Sequence, residues 1–339
     1  MKKVVIVDKR QAEVIEVPDP TPKENWVVVK VHATPMCTEY KRFLSGDPTN
    51  FLGHEAAGEV VAVAQPGRVK VGDRVVAMPL YGCGQCELCL AGDYIHCEHT
   101  AQLPRYFEPS GEGNATYAQY LLKQDWLLPK IPDGVSYEHA SLACCGLGPS
   151  FGAMQIMQLS VFDTILITGA GPVGLGAMVN ALYRGARAIV VEPNPSRAAR
   201  AKQMGAAAVL DPNDPQIVAQ IKELTGGRGA DCAVDCSGTV QAQRLCIDAT
   251  RRKGKVSFIG ECYNDLAIRI SPDMIRKGLT LIGAWHYNLR EFPAVMKVIQ
   301  NSPLIDQLVS HVFPMSQVQS AFECSTSQES AKIILHPWE

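Results

Sequence analysis

Twelve cysteines in 339 residues invite a search for metal-ligand spacing. Four of them, Cys83, Cys86, Cys89 and Cys97, lie at separations of three, three and eight in YGCGQCELCLAGDYIHCEH, a stretch rich in Gly and polar residues. Thiolates this close suit one tetrahedral zinc, and a shell of four Cys leaves no open position for water or substrate, so this centre is expected to be structural. An iron–sulfur cluster and a pair of disulfides are the competing readings. The first prefers a shorter last gap followed by Pro and the second suits secreted chains, so zinc is preferred. A reactive metal must then be sought elsewhere. Cys37, the run Gly53-His54-Glu55 and a later Cys, with Cys145 favoured over its neighbour Cys144, offer the soft and borderline ligands that zinc takes. Nothing in the sequence brings these three together in space.

A different chemistry is written in Gly169-Ala170-Gly171-Pro172-Val173-Gly174. The apolar run TILIT at 164–168 precedes it, and an apolar helical pattern follows to about Tyr183. In this strand–turn–helix setting, the first Gly permits a tight turn, the second lets a pyrophosphate approach the backbone, and the third lets helix and strand pack closely. The phosphates are expected at the helix N-terminus. Glu192 ends the next strand pattern, eighteen residues after Gly174. An acid there can accept hydrogen bonds from ribose hydroxyls and repels a 2′-phosphate, which predicts NAD over NADP.

The elements that must carry these residues fall into two patterns. Segments 3–7, 12–17, 26–33, 58–64 and 72–78 have the β-branched density of strands, and the PDPTP run at 18–22 excludes a helix between the second and third. A small mixed barrel or sandwich is expected. Beyond residue 151, strands at 164–168, 188–191, 207–210, 230–236, 255–259 and 279–282 alternate with helices that include 196–204, 215–224 and 240–250. Six strands so spaced predict a doubly wound parallel sheet. The C-terminal residues hold an amphipathic helix near 292–300 and a strand at 331–335.

A length of 339 residues fits two domains. The net charge of −2 argues against a polyanion-binding surface, so nucleic acid is not an expected partner. The N-terminus returns to charge after four apolar residues, too few for a signal-peptide core. No stretch approaches the ~20 apolar residues of a membrane span, and a cytoplasmic protein is expected. The remaining thiols, among them Cys232, Cys236, Cys246, Cys262 and Cys324, read as small hydrophobes.

Taken together, Cys37, the GHE at 53–55, the four-cysteine lobe, Cys145 in CGxxxxFGA and GAGPVG resemble, in order and over essentially the whole chain, the zinc-dependent medium-chain alcohol and polyol dehydrogenases. That resemblance implies an α/β protein with a GroES-like β-rich catalytic domain at 1–147, its structural-zinc lobe at 81–99, a Rossmann domain at 148–284 with a six-stranded parallel sheet, and a return of 285–339 to the catalytic domain. It further implies NAD and two zinc ions per subunit, with the active site in the cleft. Cys37, His54 and Cys145 fall at the catalytic-zinc positions, and Glu55 matches an acid that binds zinc or sits just behind it. The third ligand position is commonly Glu in sorbitol dehydrogenases. Arg197 falls where a basic residue meets the adenosine ribose, and Lys332 where one reaches the pyrophosphate. Trp285 and His286 lie where the family lines the nicotinamide end.

The chain departs from the family at Cys37-Thr38-Glu39-Tyr40, where C-G-S/T-D is usual. Glu39 replaces the hydroxyl that begins the proton relay, and Tyr40 replaces an Asp that anchors the zinc-bound His. Either Thr38 or Glu39 is then expected to take the proton, unless Glu39 merely points to solvent. The implied activity is reversible oxidation of a secondary alcohol to a ketone, with a polyol, sugar alcohol or cyclitol as substrate. The alternatives are a threonine-3-dehydrogenase-like or simple secondary-alcohol dehydrogenase, and a catalytically silent nucleotide-binding protein. Family habit implies a homodimer or homotetramer.

Overall fold

Strands β1 (Lys2–Asp8) and β2 (Gln11–Glu16) pair as an antiparallel hairpin. The valine-rich β3 (Trp26–Pro35) is the longest strand of the chain and the centre of its first unit. Its alternation sorts side chains to two faces, as a pleated strand must. Val27, Val29 and Val31 pack with Val60, Val75 and Leu121 on one side, while Trp26 and Val28 pack with Leu103 and Leu122 on the other. Each such valine contributes roughly 1.5–3 kcal/mol on burial. β4 (Ala56–Ala62), β5 (Arg74–Ala77) and β6 (Tyr120–Gln124) complete the N-terminal part, β4 and β6 flanking β3 antiparallel. The structure, a computed structural model, describes residues 1–108 and 110–339.

The second unit holds β7 (Thr164–Thr168), β8 (Arg187–Val191), β9 (Ala208–Leu210), β10 (Ala230–Asp235), β11 (Thr250–Phe258) and β12 (Thr280–Gly283). All pair in parallel, in the order β12-β11-β10-β7-β8-β9. The order reverses between β7 and β10, and ligands of such sheets bind beyond the strand ends at that point.

β13 (Val309–Pro314) and β14 (Lys332–His336) then join the first sheet, giving β13-β14-β3-β4-β5 with β6 also on β3. β6 and β13 had no counterpart among the expected strands. The first unit comprises Met1–Gly146, Asn288–Asn301 and Val309–Glu339; the second comprises Leu147–Tyr287 and Ser302–Leu308. The return therefore starts at Asn288 rather than at 285, and it is interrupted because Ile305 and Leu308 are buried in the second unit. Among the described residues, no helix is long and apolar enough to cross a membrane.

Candidate metal and dinucleotide sites

Three elements of the first unit converge on one point. Cys37 follows β3, His54 and Glu55 immediately precede β4, and Cys145 lies in the turn between helices Tyr137–Ser141 and Gly148–Met157. One ligand atom from each of the four lies within 4.8 Å of the others, with His54 Nε2 3.2 Å from Cys145 Sγ. Gly53 explains the GHE run: its φ is +82°, and a Cβ there would sit 2.3 Å from Thr116 Oγ1 and 2.4 Å from the Tyr117 ring. Only glycine lets the His-bearing turn lie on that ring. Cys144 faces away, its thiol meeting the Ala77 carbonyl at 3.5 Å, so the choice between the adjacent cysteines falls on Cys145.

The charges around this point are arranged for a cation. The Cys145 thiol hydrogen-bonds Cys37 and, against the effect of burial and with the Lys332 ammonium nearby, holds Cys37 well below the usual thiol range. Burial would lower the His54 imidazole, but its bonds to Cys37 and Glu39 more than offset this and raise it to about 11. Glu39 is itself buried, yet His54 pulls it down to about 2. Its Oε1 lies 2.9 Å from His54 Nδ1, and its Oε2 accepts from Cys37 N–H and Tyr117 O–H, each at 2.9 Å. Behind the cluster, Lys332 Nζ meets Glu55 Oε1 at 2.6 Å with both side chains fully buried, and Cys145 N–H donates to Glu55 Oε2 at 3.0 Å. A soft, anionic donor set with one borderline nitrogen fits zinc.

The four-cysteine lobe forms a second cluster, with one sulfur each from Cys83, Cys86, Cys89 and Cys97 within the same 4.8 Å criterion. Backbone N–H groups turn onto the sulfurs: Gln85 and Cys86 donate to Cys83 Sγ at 3.4 and 3.3 Å, and Cys83 to Cys97 Sγ at 3.2 Å. Burial works against ionisation of Cys83, but these donors lower it to about 7. The loop ends on Asn288, whose Nδ2 donates to Ala91 O and Asp93 Oδ1, both at 2.8 Å. The set fits a closed structural zinc.

In the second unit, β7 runs into the glycine turn and helix Pro172–Tyr183, with Pro172 in the first helical turn, where its missing N–H is no loss. Gly169 has φ +86°, and a Cβ on Gly174 would sit 1.8 Å from the Gly169 carbonyl, so the helix can start here only without a side chain. A Cβ on Gly171 would meet only the Arg197 guanidinium, at 3.8 Å, leaving the backbone open to a ligand. Arg197 Nε is buried with no protein partner among the described residues. Glu192 is only 6% exposed; its Oε2 accepts from Ala170 N–H at 2.6 Å and its Oε1 from Asn194 N–H at 2.8 Å. An open glycine turn, an orphaned guanidinium nitrogen and an acid together fit a dinucleotide.

Residues 23–133 match the alcohol dehydrogenase GroES-like domain, and residues 172–301 match the zinc-binding dehydrogenase domain. The sorbitol dehydrogenase of Bacillus subtilis is 30% identical, with 99% of this chain and 97% of the relative aligned. This chain belongs to the zinc-dependent medium-chain dehydrogenases. The L-threonine 3-dehydrogenase of Pyrococcus horikoshii is also 30% identical, over 95% of this chain and 94% of that protein. Among solved structures, the alcohol dehydrogenase of Thermus sp. ATN1 superposes with a TM-score of 0.89 at 26% identity, covering 99% of each chain.

As a zinc-dependent dehydrogenase, the protein uses NAD, an alcohol as small-molecule substrate and two zinc centres, one of four Cys and one of Cys, His and Glu. Two expectations for its side chains need correction. Lys332 is not free to meet a pyrophosphate: it is 1% exposed and bound to Glu55 and to the Met36 carbonyl. Glu39 neither points to solvent nor offers a free carboxylate to a leaving proton, because both oxygens already accept from three donors. Thr38 is exposed beside it. His286 is buried and stacked on Tyr287 with ring centroids 4.6 Å apart, while Trp285 is exposed.

Two residues escaped the sequence reading. Tyr117 carried no signal, being a single aromatic in a stretch whose sequence suggested no element or motif. Asp235 ends β10 fully buried, accepting from Thr168 Oγ1 at 2.9 Å and from Ser237 and Gly238 backbone N–H groups, and so braces the end of β7 where the glycine turn begins. Its place at the carboxyl end of a strand beside the topological switch point could have singled it out.

Proposed function

We propose that the protein interconverts a secondary alcohol carrying further hydroxyls, a polyol, sugar alcohol or cyclitol, with its ketone. The reading rests on the convergence of Cys37, His54 and Cys145 on one point while Glu55 is engaged by Lys332 and by Cys145 N–H. Three ligands with the acid already engaged would leave a zinc ion one position open, the mark of a catalytic rather than a structural site. Zinc held there would supply a Lewis acid for the alcohol oxygen, and NAD held by Gly169, Gly171, Pro172, Val173, Gly174, Glu192 and Arg197 would supply the hydride acceptor.

The chain's own residues do the rest. On taking up zinc, Cys37 and Cys145 would give up their protons to provide anionic sulfur and His54 would give up one to provide a neutral nitrogen, while Lys332 balances the Glu55 charge so that the buried centre does not become too anionic. Glu55, engaged by Lys332 and by Cys145 N–H, would lend its charge to a metal held there. With Glu39 already committed, the proton released by the alcohol leaves by way of the Thr38 hydroxyl and solvent. Glu192 selects NAD by repelling a 2′-phosphate.

The sorbitol dehydrogenase relative supports a polyol substrate. The threonine dehydrogenase relative supports an amino-alcohol as the second reading, and Cys145 where sorbitol dehydrogenases commonly carry Glu leans toward simple alcohols. A panel of polyols, cyclitols, L-threonine and simple secondary alcohols, followed as NADH absorbance, separates them. The highest kcat/KM is expected on a polyol or cyclitol. A maximum on threonine or on a simple alcohol overturns the substrate assignment, and no turnover on any of them favours a silent protein. We further propose a cytoplasmic homodimer or homotetramer; a monomer in sedimentation equilibrium overturns the assembly.

A further inference from the structure

We propose that Glu39 and Tyr117 are positioning residues that together fix the tautomer and orientation of His54, and through it the affinity of the catalytic metal. The proposal rests on the reading of Cys37, His54 and Cys145 as zinc ligands. Its basis is a single carboxylate that touches two ligand-bearing segments at once. Glu39 Oε1 lies 2.9 Å from His54 Nδ1, and Oε2 accepts the N–H of Cys37 at 2.9 Å. The two ligands arrive from opposite ends of the β3–β4 connection, and Glu39 ties them together.

The chemistry follows from the acceptor. A carboxylate facing Nδ1 requires that nitrogen to carry the proton, which leaves the Nε2 lone pair for a metal and aims the ring. Nε2 is the nitrogen found 3.2 Å from Cys145 Sγ. Tyr117 completes the device. Its ring is fully buried, its hydroxyl donates to Oε2 at 2.9 Å, and the absent side chain of Gly53 lets it lie directly under the His-bearing turn. A hydroxyl donating to Glu39 keeps the carboxylate an acceptor and holds its rotamer. Tyr40, where the related enzymes carry an anchoring Asp, packs instead against the apolar cluster of Val4, Phe43 and Phe322. The anchor has therefore moved one position along the chain, into the place of the relay hydroxyl. The longer Glu side chain spans the difference.

The test is zinc release from the two-zinc protein to a chromogenic chelator, with Co2+ substitution as a spectroscopic check. The wild type is expected to show two separable classes of zinc. Glu39→Gln removes the charge but keeps one oxygen, and should weaken only one class, by roughly 10–100-fold. Tyr117→Phe should weaken the same class by a smaller factor, and the double variant should lose less than the product of the two, since both act through one ring. The d–d bands of Co2+ in that class should shift in both variants. The lobe zinc serves as the internal control for folding. Unchanged release and an unchanged Co2+ spectrum in Glu39→Gln would overturn the proposal. Equal weakening of both classes in Tyr117→Phe, which deletes a single oxygen, would overturn it too, by making the pair a prop for the fold. A wild type holding only one class of zinc would refute the ligand reading itself.

Discussion

Replacing Lys332 with Met probes the most strongly buried charge pair of the catalytic unit. Lys332 Nζ lies 2.6 Å from Glu55 Oε1, and the two side chains are 1% and 0% exposed. Removing one partner leaves an uncompensated buried charge, which costs about 3–5 kcal/mol. The loss has a definite pH dependence. Burial, opposed by Lys332, already raises Glu55 from 4.5 to about 7, so between those values the folded state binds more protons than the unfolded one and stability falls as pH rises. Without Lys332 the Glu55 carboxyl moves higher still, and the falling window extends into alkaline pH. The deficit of Lys332→Met relative to wild type should therefore approach the full value at pH 8.5 and shrink at pH 5.5, where Glu55 is neutral in both. Urea unfolding of the metal-free proteins at the two pH values, read by tryptophan fluorescence, measures it; Trp26, Trp126 and Trp338 all lie in this unit. The double variant Lys332→Met/Glu55→Gln removes both charges and should recover most of the loss. Equal deficits at the two pH values, a deficit below about 1 kcal/mol at pH 8.5, or no recovery in the double variant would refute the pairing argument.

Four further outcomes are expected. Cys37→Ala should abolish turnover and release one zinc while the lobe zinc stays; retained activity removes Cys37 from the ligand set. Cys83→Ser should lose the lobe zinc and lower stability first, with activity declining only as the fold loosens, and unchanged zinc stoichiometry would contradict this. Glu192→Ala should narrow the preference for NAD over NADP by roughly tenfold or more, about 1.4 kcal/mol, measured as the ratio of kcat/KM values; an unchanged ratio counts against the ribose role. Lys123 is 3% exposed, and burial lowers its ammonium from 10.5 to about 7. The unfolded chain thus binds the extra proton between those values, and wild-type stability should rise with pH across that window. Lys123→Met should flatten the rise, and an unaltered slope in urea unfolding would disprove it.

The dinucleotide turn and the metal lobe could be read from the chain because each is local. In GAGPVG the flanking strand, the turn and the helix are neighbours in sequence, so backbone sterics alone dictate glycine at 169 and 174, and the structure repeats that demand as a positive φ and a 1.8 Å approach. The four cysteines of the lobe likewise fall within one short loop, and spacing already decides which sulfurs can meet. The parallel sheet followed from the alternation of strand and helix patterns, its central strands β7, β8 and β10 being mostly apolar and buried on both faces. β6 and β13 were missed for the opposite reason. Each is mixed in polarity and becomes a strand by pairing with a distant partner, β3 in one case and β14 in the other.

By itself the sequence determined that this is a two-zinc, NAD-using α/β dehydrogenase, and which residues were eligible for each centre. Only the tertiary structure decided among them. Sheet register and the turn beyond Leu142 placed Cys145, 91 residues from His54, at the metal while turning Cys144 into the core. Desolvation placed Lys332 opposite Glu55, 277 residues away, because neither charge can be buried without the other. The same packing turned Glu39 from an eligible proton acceptor into the brace of His54, since the fold surrounds its carboxylate with three donors that no local pattern could reveal.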